Sequence, residues 1–224
     1  MLKAVIFDID GTLIDSVDQH AASWLETFRH FAVEATFKDV RAQIGKGGDQ
    51  LLPVFVSPER LEREGEAMER FRSDLFKRDY LPTVRGFPGV RPLFERLMAD
   101  GRQVWLGTSG NKDEADRYAQ IAGIADMVDG MATKSDAERS KPAPDVFQAA
   151  LRKLAPVSAD ETIVIGDTPY DAQAARKAGL RTIGVRCGGW GDEELKAAGC
   201  VAVFDGTWDL LARYRESPLM IPSP

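Results

Sequence analysis

The chain has 224 residues, of which 44% are hydrophobic and 29% charged, and its formal net charge is −6. That length suits one large domain or a core with an inserted lobe, and the composition is that of a globular protein with a sizeable core. The acidic balance argues against a general nucleic-acid binder, which would carry a basic surface, but it leaves room for a small anionic ligand held by a local cluster of lysine and amide donors.

Lys3 to Asp8 reads as a buried strand, an apolar run that ends on an acid. A polar turn through Gly11 and Thr12 follows, and from Ser16 the pattern becomes helical, with Trp24, Leu25, Phe28, Phe31 and Ala32 at helical spacing. Gly45-Lys46-Gly47-Gly48 breaks the helix. Ser57-Pro58-Glu59 starts another, with a capping Ser and a Pro at the first position, and it runs to about Tyr80. Pro82 and Gly86-Phe87-Pro88-Gly89 close this stretch. Strands and helices then alternate: strand 103–108, helix 112–122, a short strand near 127–131, helix 145–154, strand 162–167, helix 170–178 and strand 181–185. A last short helix and strand lead to Phe204, and the tail from Ser217 to Pro224 reads as loosely ordered.

Such alternation predicts an α/β fold, a Rossmann-like doubly wound parallel sheet with helices on both faces. Residues 1–15 and 85–224 would form this core, and the helical stretch 16–84 a lobe inserted over it. Cys187 and Cys200 are too few for a disulfide framework, and with only His20 and His30 beside them they do not suit a structural zinc site. No apolar run approaches the roughly 20 residues of a membrane helix, and the N-terminus lacks a signal-peptide core. A cytoplasmic protein without membrane or nucleic-acid partners is expected.

In an open parallel sheet, ligands bind beyond the carboxyl ends of the strands. Asp8-Ile9-Asp10-Gly11-Thr12 follows the first strand, Thr108-Ser109 the next, and Gly166-Asp167-Thr168-Pro169-Tyr170-Asp171 the strand after Lys141-Pro142. Carboxylates crowded in this way repel unless a cation sits among them, and an incomplete cage of oxygen donors suits Mg²⁺. Phosphoryl transfer needs an in-line nucleophile, donors around the equatorial oxygens and an acid for the leaving group. Asp8 can be the nucleophile, Asp10 can reach the leaving oxygen, and Thr108, the Ser109 amide and Lys141 can hold the phosphoryl group.

Asp8-x-Asp10-Gly11-Thr12, Thr108, Lys141-Pro142 and Gly166-Asp167-x-x-x-Asp171 resemble the four ordered motifs of haloacid-dehalogenase-like (HAD) phosphatases. The resemblance covers nearly the whole chain and is nearest to the phosphoglycolate phosphatase and β-phosphoglucomutase branch, whose helical cap the insert is similar to. It implies Asp8 as nucleophile, Asp10 as general acid and then base, and Thr108 and Lys141 as phosphate ligands. It also implies Mg²⁺ held by Asp8, the Asp10 carbonyl and Asp167, with Asp171 direct or through water. A small phosphorylated metabolite would be the substrate, acted on by a monomer or homodimer.

Each motif also has a plainer interpretation. D-x-D-G is a common turn composition, Thr108 could merely cap a helix, and Asp171 sits where any acid favours the helix dipole. His20 matches the first cap helix of sugar-phosphate members but could be a structural histidine. Lys46 is either a cap cation that reaches the substrate or part of a plain helix connection; the segment lacks the full P-loop pattern. A phosphomutase is the alternative enzyme, disfavoured because the fourth motif lacks adjacent acids. A non-enzymatic phosphoacceptor domain is the alternative outside enzymes, and it would need neither the insert nor Asp10.

Overall fold

The computed structural model describes residues 1–220. β1 (Ala4–Phe7) is wholly apolar and wholly buried, as a strand covered on both faces must be. It pairs in parallel with β4 (Gln103–Gly107) on one side and β6 (Thr162–Gly166) on the other. β5 (Gly130–Ala132) extends the first side; β7 (Arg181–Val185) and β8 (Cys200–Phe204) extend the second. The result is a six-stranded parallel sheet of order β5-β4-β1-β6-β7-β8.

Alternation along β1 divides the core. Val5 and Phe7 pack with α5 (Val90–Ala99), α6 (Lys112–Ile121) and α10 (Thr207–Ala212), through Leu93, Phe94, Tyr118 and Leu210. Ala4 and Ile6 face α7 (Asp145–Leu154) and α8 (Pro169–Lys177), through Phe147, Ala150 and Ala174. A smaller cluster seats α9 (Asp192–Ala198) by Leu195 against Ala172 and Cys200.

Two short strands, β2 (Ile14–Asp15) and β3 (Arg85–Gly86), form an antiparallel ribbon at the point where the chain leaves and rejoins the core. Between them lie α1 (Val17–His30), α2 (Phe37–Arg41), α3 (Gly48–Phe55) and α4 (Pro58–Leu75), followed by a π-helical turn at Phe76–Tyr80. These helices bury a hydrophobic cluster of their own, with Trp24, Phe28, Val40, Leu51, Leu52 and Met68. α4 needs that packing, because its residues are mostly charged and only Met68 and Leu75 are buried.

The structure departs from the sequence expectations in several places. The ribbon, α5 and α10 are not among the expected elements. The tail is packed rather than loose as far as it is described: Leu219 is in the core, and the buried Arg102 donates to the Leu219 carbonyl at 2.7 Å. Residues 221–224, the rest of the expected loose tail, lie outside the described residues. Among the described residues no helix is long and apolar enough to cross a membrane.

Candidate active site

The carboxyl ends of β1, β4 and β6 meet beneath the helical lobe. Asp8 directly follows β1, where its backbone N–H donates to the Ile165 carbonyl at 2.9 Å and so fixes it to the neighbouring strand. The chain then turns at Gly11, whose φ is +81°, and a Cβ there would lie 2.3 Å from Asp167 Oδ2. Only glycine lets this loop pass so close to the acid after β6. Thr12, fully buried, donates its hydroxyl to Asp167 Oδ1 at 3.0 Å and lies 3.4 Å from Asp8 Oδ2.

Asp8, Asp167 and Asp171 each offer an oxygen within 4.8 Å of the others, and all three are buried. The ammonium of Lys141, itself wholly buried, enters this trio. It donates to Asp8 Oδ1 and to the Gly107 carbonyl at 2.8 Å, and lies 2.8 Å from Asp171 Oδ1. Burial alone would lower the Lys141 pKa; Asp171 and Asp8 outweigh it, so the group is held protonated. For Asp8 the balance reverses. Burial dominates over the help from Lys141, and the pKa rises from 3.8 to about 7. Asp167 is pushed well up by burial, then by Asp171 and Asp8.

Asp171 also caps α8. Its Oδ2 accepts from the Thr168 amide at 3.1 Å and hydroxyl at 2.6 Å, while the Thr168 hydroxyl accepts from the Asp171 amide. The plain capping role and a place in the acidic cluster are thus both present in one side chain. Among the described residues, one buried carboxylate oxygen, Asp167 Oδ2, has no hydrogen-bond donor, and Asp171 Oδ1 meets only the Lys141 ammonium. Three carboxylates with one ammonium, and an oxygen lacking a donor, fit a hard divalent cation.

Asp10 points into a separate polar environment. Its Oδ1 accepts from the Ser16 hydroxyl at 2.6 Å and lies 2.7 Å from His20 Nε2. Burial works to raise its pKa, but the hydrogen bonds from His20 and Ser16 and the charge of the nearby Arg72 prevail and hold it below the usual carboxylate range. Two carboxylates two residues apart are therefore driven in opposite directions by their surroundings.

A cavity of about 110 Å³ opens over Asp8 and Asp10, lined also by His20, Lys46, Arg72, Thr108, Ser109, Glu114 and Lys134. Thr108 Oγ1 accepts from the Gly110 amide at 3.0 Å; the N-cap position of the helix that follows is Asn111, which makes no side-chain capping bond. Ser109 Oγ accepts the Lys141 amide at 3.3 Å, tying the two loops together. Lys46 reaches the cavity from the lobe, hydrogen-bonded to Gln43 Oε1 at 2.5 Å and 4.7 Å above the Tyr170 ring. All of the residues singled out from the sequence thus border the acidic cluster or its cavity. His30 lies elsewhere, stacked on Phe71.

The lobe rests on the core through specific contacts. A Cβ on Gly47 would lie 2.1 Å from Ser140 Oγ, so the backbone of this loop sits directly on the residue before Lys141. Asp49 Oδ2 accepts the Ser140 amide at 3.0 Å, Lys134 pairs with Glu69 at 2.7 Å, and Tyr170 donates to the Ala42 carbonyl at 2.6 Å. The glycine-rich break is thus a seating surface. Arg72, Glu114, Lys134, Thr12 and Ser16 were not assigned roles from the sequence. Only Thr12, within the first motif, and Ser16, shortly after it, carry a local signal.

A parallel sheet with a buried aspartate after its central strand, a lysine against it and paired acids after the next strand defines a hydrolase class. The chain belongs to the haloacid dehalogenase-like hydrolase family, whose pattern it matches over residues 5–185. It is 29% identical to a phosphoglycolate phosphatase of Rhodospirillum rubrum over 216 residues, 92% of this chain and 88% of that one. It is 31% identical to the pyrophosphatase PpaX of Bacillus velezensis over 187 residues, covering 82% and 83% of the two chains. The crystal structure of a hydrolase from Pseudomonas syringae superposes with a TM-score of 0.85 at 29% identity, covering 96% of this chain and 99% of that one.

Proposed function

We propose that the chain is an Mg²⁺-dependent phosphatase that removes phosphate from a small metabolite of the phosphoglycolate or sugar-phosphate class. The observation that carries this reading is the buried trio Asp8, Asp167 and Asp171 around Lys141, with Asp167 Oδ2 lacking a donor among the described residues. Asp8, the Asp10 carbonyl and Asp167 would hold the ion, with Asp171 beside them. When bound, Mg²⁺ neutralises charge on the cluster and on the phosphoryl oxygens.

The chain's own groups supply the rest. An Asp8 carboxylate oxygen attacks phosphorus and the ester bond breaks, giving an aspartyl-phosphate. Asp10 gives a proton to the departing oxygen. It then takes one from the water that attacks the phosphoenzyme, and inorganic phosphate leaves. Asp10 is ionised in the ligand-free site, but a phosphoryl dianion docked beside it adds like charge and raises its pKa. Thr108, the Ser109 amide and Lys141 hold the equatorial oxygens, with Lys141 also keeping Asp8 in place. The lobe of residues 16–84 acts as a cap that excludes water and selects the leaving group. A 110 Å³ cavity suits a small one.

The test is turnover of a panel of phosphorylated metabolites and a generic aryl phosphate by the purified protein with Mg²⁺, with excess chelator and as Asp8→Asn. Chelation should abolish turnover, and Ca²⁺ should restore it poorly. Asp8→Asn should lose several orders of magnitude in kcat and form no phosphoenzyme. Full activity in chelator, or a phosphoenzyme captured in Asp8→Asn, overturns the reading.

A further inference from the structure

His20 stands between a lobe arginine and the proposed acid. Its Nε2 lies 2.7 Å from Asp10 Oδ1, and its Nδ1 is met by a guanidinium nitrogen of Arg72. Guanidinium groups only donate. Nδ1 must therefore present its lone pair, the ring proton sits on Nε2, and neutral His20 donates to Asp10.

The surroundings hold this arrangement. The His20 ring stacks on Phe76 with centroids 4.1 Å apart and planes 4° from parallel. Arg72 lies 4.8 Å above the same Phe76 ring and 5.5 Å from Trp24, so its head is fixed between aromatic faces. Glu114, the other acid facing the ring, is 3.8 Å from Nε2, beyond hydrogen-bond reach, and already accepts from the Tyr118 hydroxyl at 3.1 Å. Tyr118 spends its proton there, so its oxygen, 3.0 Å from Nε2, can only share the same ring proton. Ser16 donates to the same Asp10 oxygen as His20, at 2.6 Å. Both donors fall on Oδ1, which leaves Oδ2 available to a ligand in the cavity that Asp10 lines.

We propose that Arg72 is a positioning residue for Asp10: by donating to Nδ1 of His20 it keeps the ring proton on Nε2, commits Oδ1 to His20 and Ser16, and reserves Oδ2 for proton exchange with the leaving group. The use made of Asp10 rests on the phosphatase reading. The tautomer of His20 does not.

The chain has two histidines, so histidine-selective ¹⁵N labelling gives a spectrum of two rings, with His30 as the reference. In the wild type, His20 should show an unprotonated Nδ1 and a protonated Nε2. Arg72→Met, of similar length and without donors, should mix the tautomers. It should lower kcat for an alkyl phosphate about tenfold or more, leave KM within about twofold, and affect an aryl phosphate less, since a good leaving group needs little acid help. Arg72→Lys restores a donor and should recover most of both signals. An unchanged His20 tautomer in Arg72→Met overturns the proposal, as does an alkyl-phosphate kcat that survives its loss. A raised KM at constant kcat also overturns it, because Arg72 then contacts the substrate itself. If no phosphate ester is turned over by the wild type, the phosphatase reading fails while the spectrum still decides the role of Arg72 toward His20.

Discussion

Without metal, the acidic cluster should make the fold less stable as pH rises, and Asp8→Asn should relieve this. Three buried carboxylates face one ammonium, Lys141. Asp8 ionises at 3.8 as an ordinary side chain and at about 7 in the fold, burial being the main cause. Between those values the folded form binds more proton than the unfolded one, so stability falls as pH rises, and the full penalty is present above pH 7. A difference of about 3 pH units at ~1.4 kcal/mol each gives a penalty of about 4 kcal/mol. At roughly 2–4 °C per kcal/mol for a chain of this size, that is on the order of 10 °C in Tm. Asn at position 8 keeps the shape, removes that charge, and leaves Lys141 with Asp171 and the Gly107 carbonyl. The assay is thermal melting in chelator from acidic to mildly alkaline pH. The wild-type Tm should fall with pH, the Asp8→Asn curve should be flatter and higher on the alkaline side, and Mg²⁺ should close the gap. Parallel curves for the two proteins would refute the electrostatic account of the cluster.

Other outcomes follow from the same geometry. Asp10→Asn should keep metal binding, because the proposed ligand is its backbone carbonyl, yet slow alkyl phosphates by roughly 10²–10⁴-fold; equal losses in kcat/KM for aryl and alkyl phosphates would remove the general-acid role. Lys46→Ala should impair kcat/KM for the natural substrate much more than for a small aryl phosphate, with little change in Tm; identical kinetic ratios in both proteins would take Lys46 out of the site. Gly47→Ala places a Cβ 2.1 Å from Ser140 Oγ, so the lobe should seat poorly and kcat/KM should drop on the order of 10²-fold; unchanged kinetics would show that the seam does not govern turnover.

The elements legible in the sequence are those whose signal is local. Asp8, Thr108 and Asp167 stand at the ends of apolar runs, and a parallel sheet brings such ends to one edge whatever the details of the loops. The α5 helix does not stand out in the sequence although Val90, Leu93, Phe94 and Leu97 have helical spacing, because Gly86 to Gly89 before it reads as a breaker. The β2–β3 ribbon has two residues per strand, too few for any alternation to be visible, and exists because Ile14 and Gly86 are brought together across the inserted lobe. The partners of Asp10 divide in the same way. Ser16 is six residues away, whereas Arg72 and Tyr118 reach His20 across separations of 52 and 98 residues. Nothing in a helix face rich in charge, such as Glu66 to Arg72, marks which arginine turns inward.

The two crossings between core and lobe run side by side in the β2–β3 ribbon, so the lobe is fastened along one narrow line. Its longest member, α4, has 18 residues and is thus about 27 Å long. A lever arm of that length turned by roughly 10° about such a line carries its tip about 5 Å. The Lys134–Glu69 pair, now at 2.7 Å, and the Asp49 bond to the Ser140 amide span the seam, so a swing that opens it would part both. The ribbon itself would need only a small change in a few backbone angles. The mechanical advantage lies with the attachment: small torsions where the lobe is tied become the difference between a sealed and an open chamber at its far side.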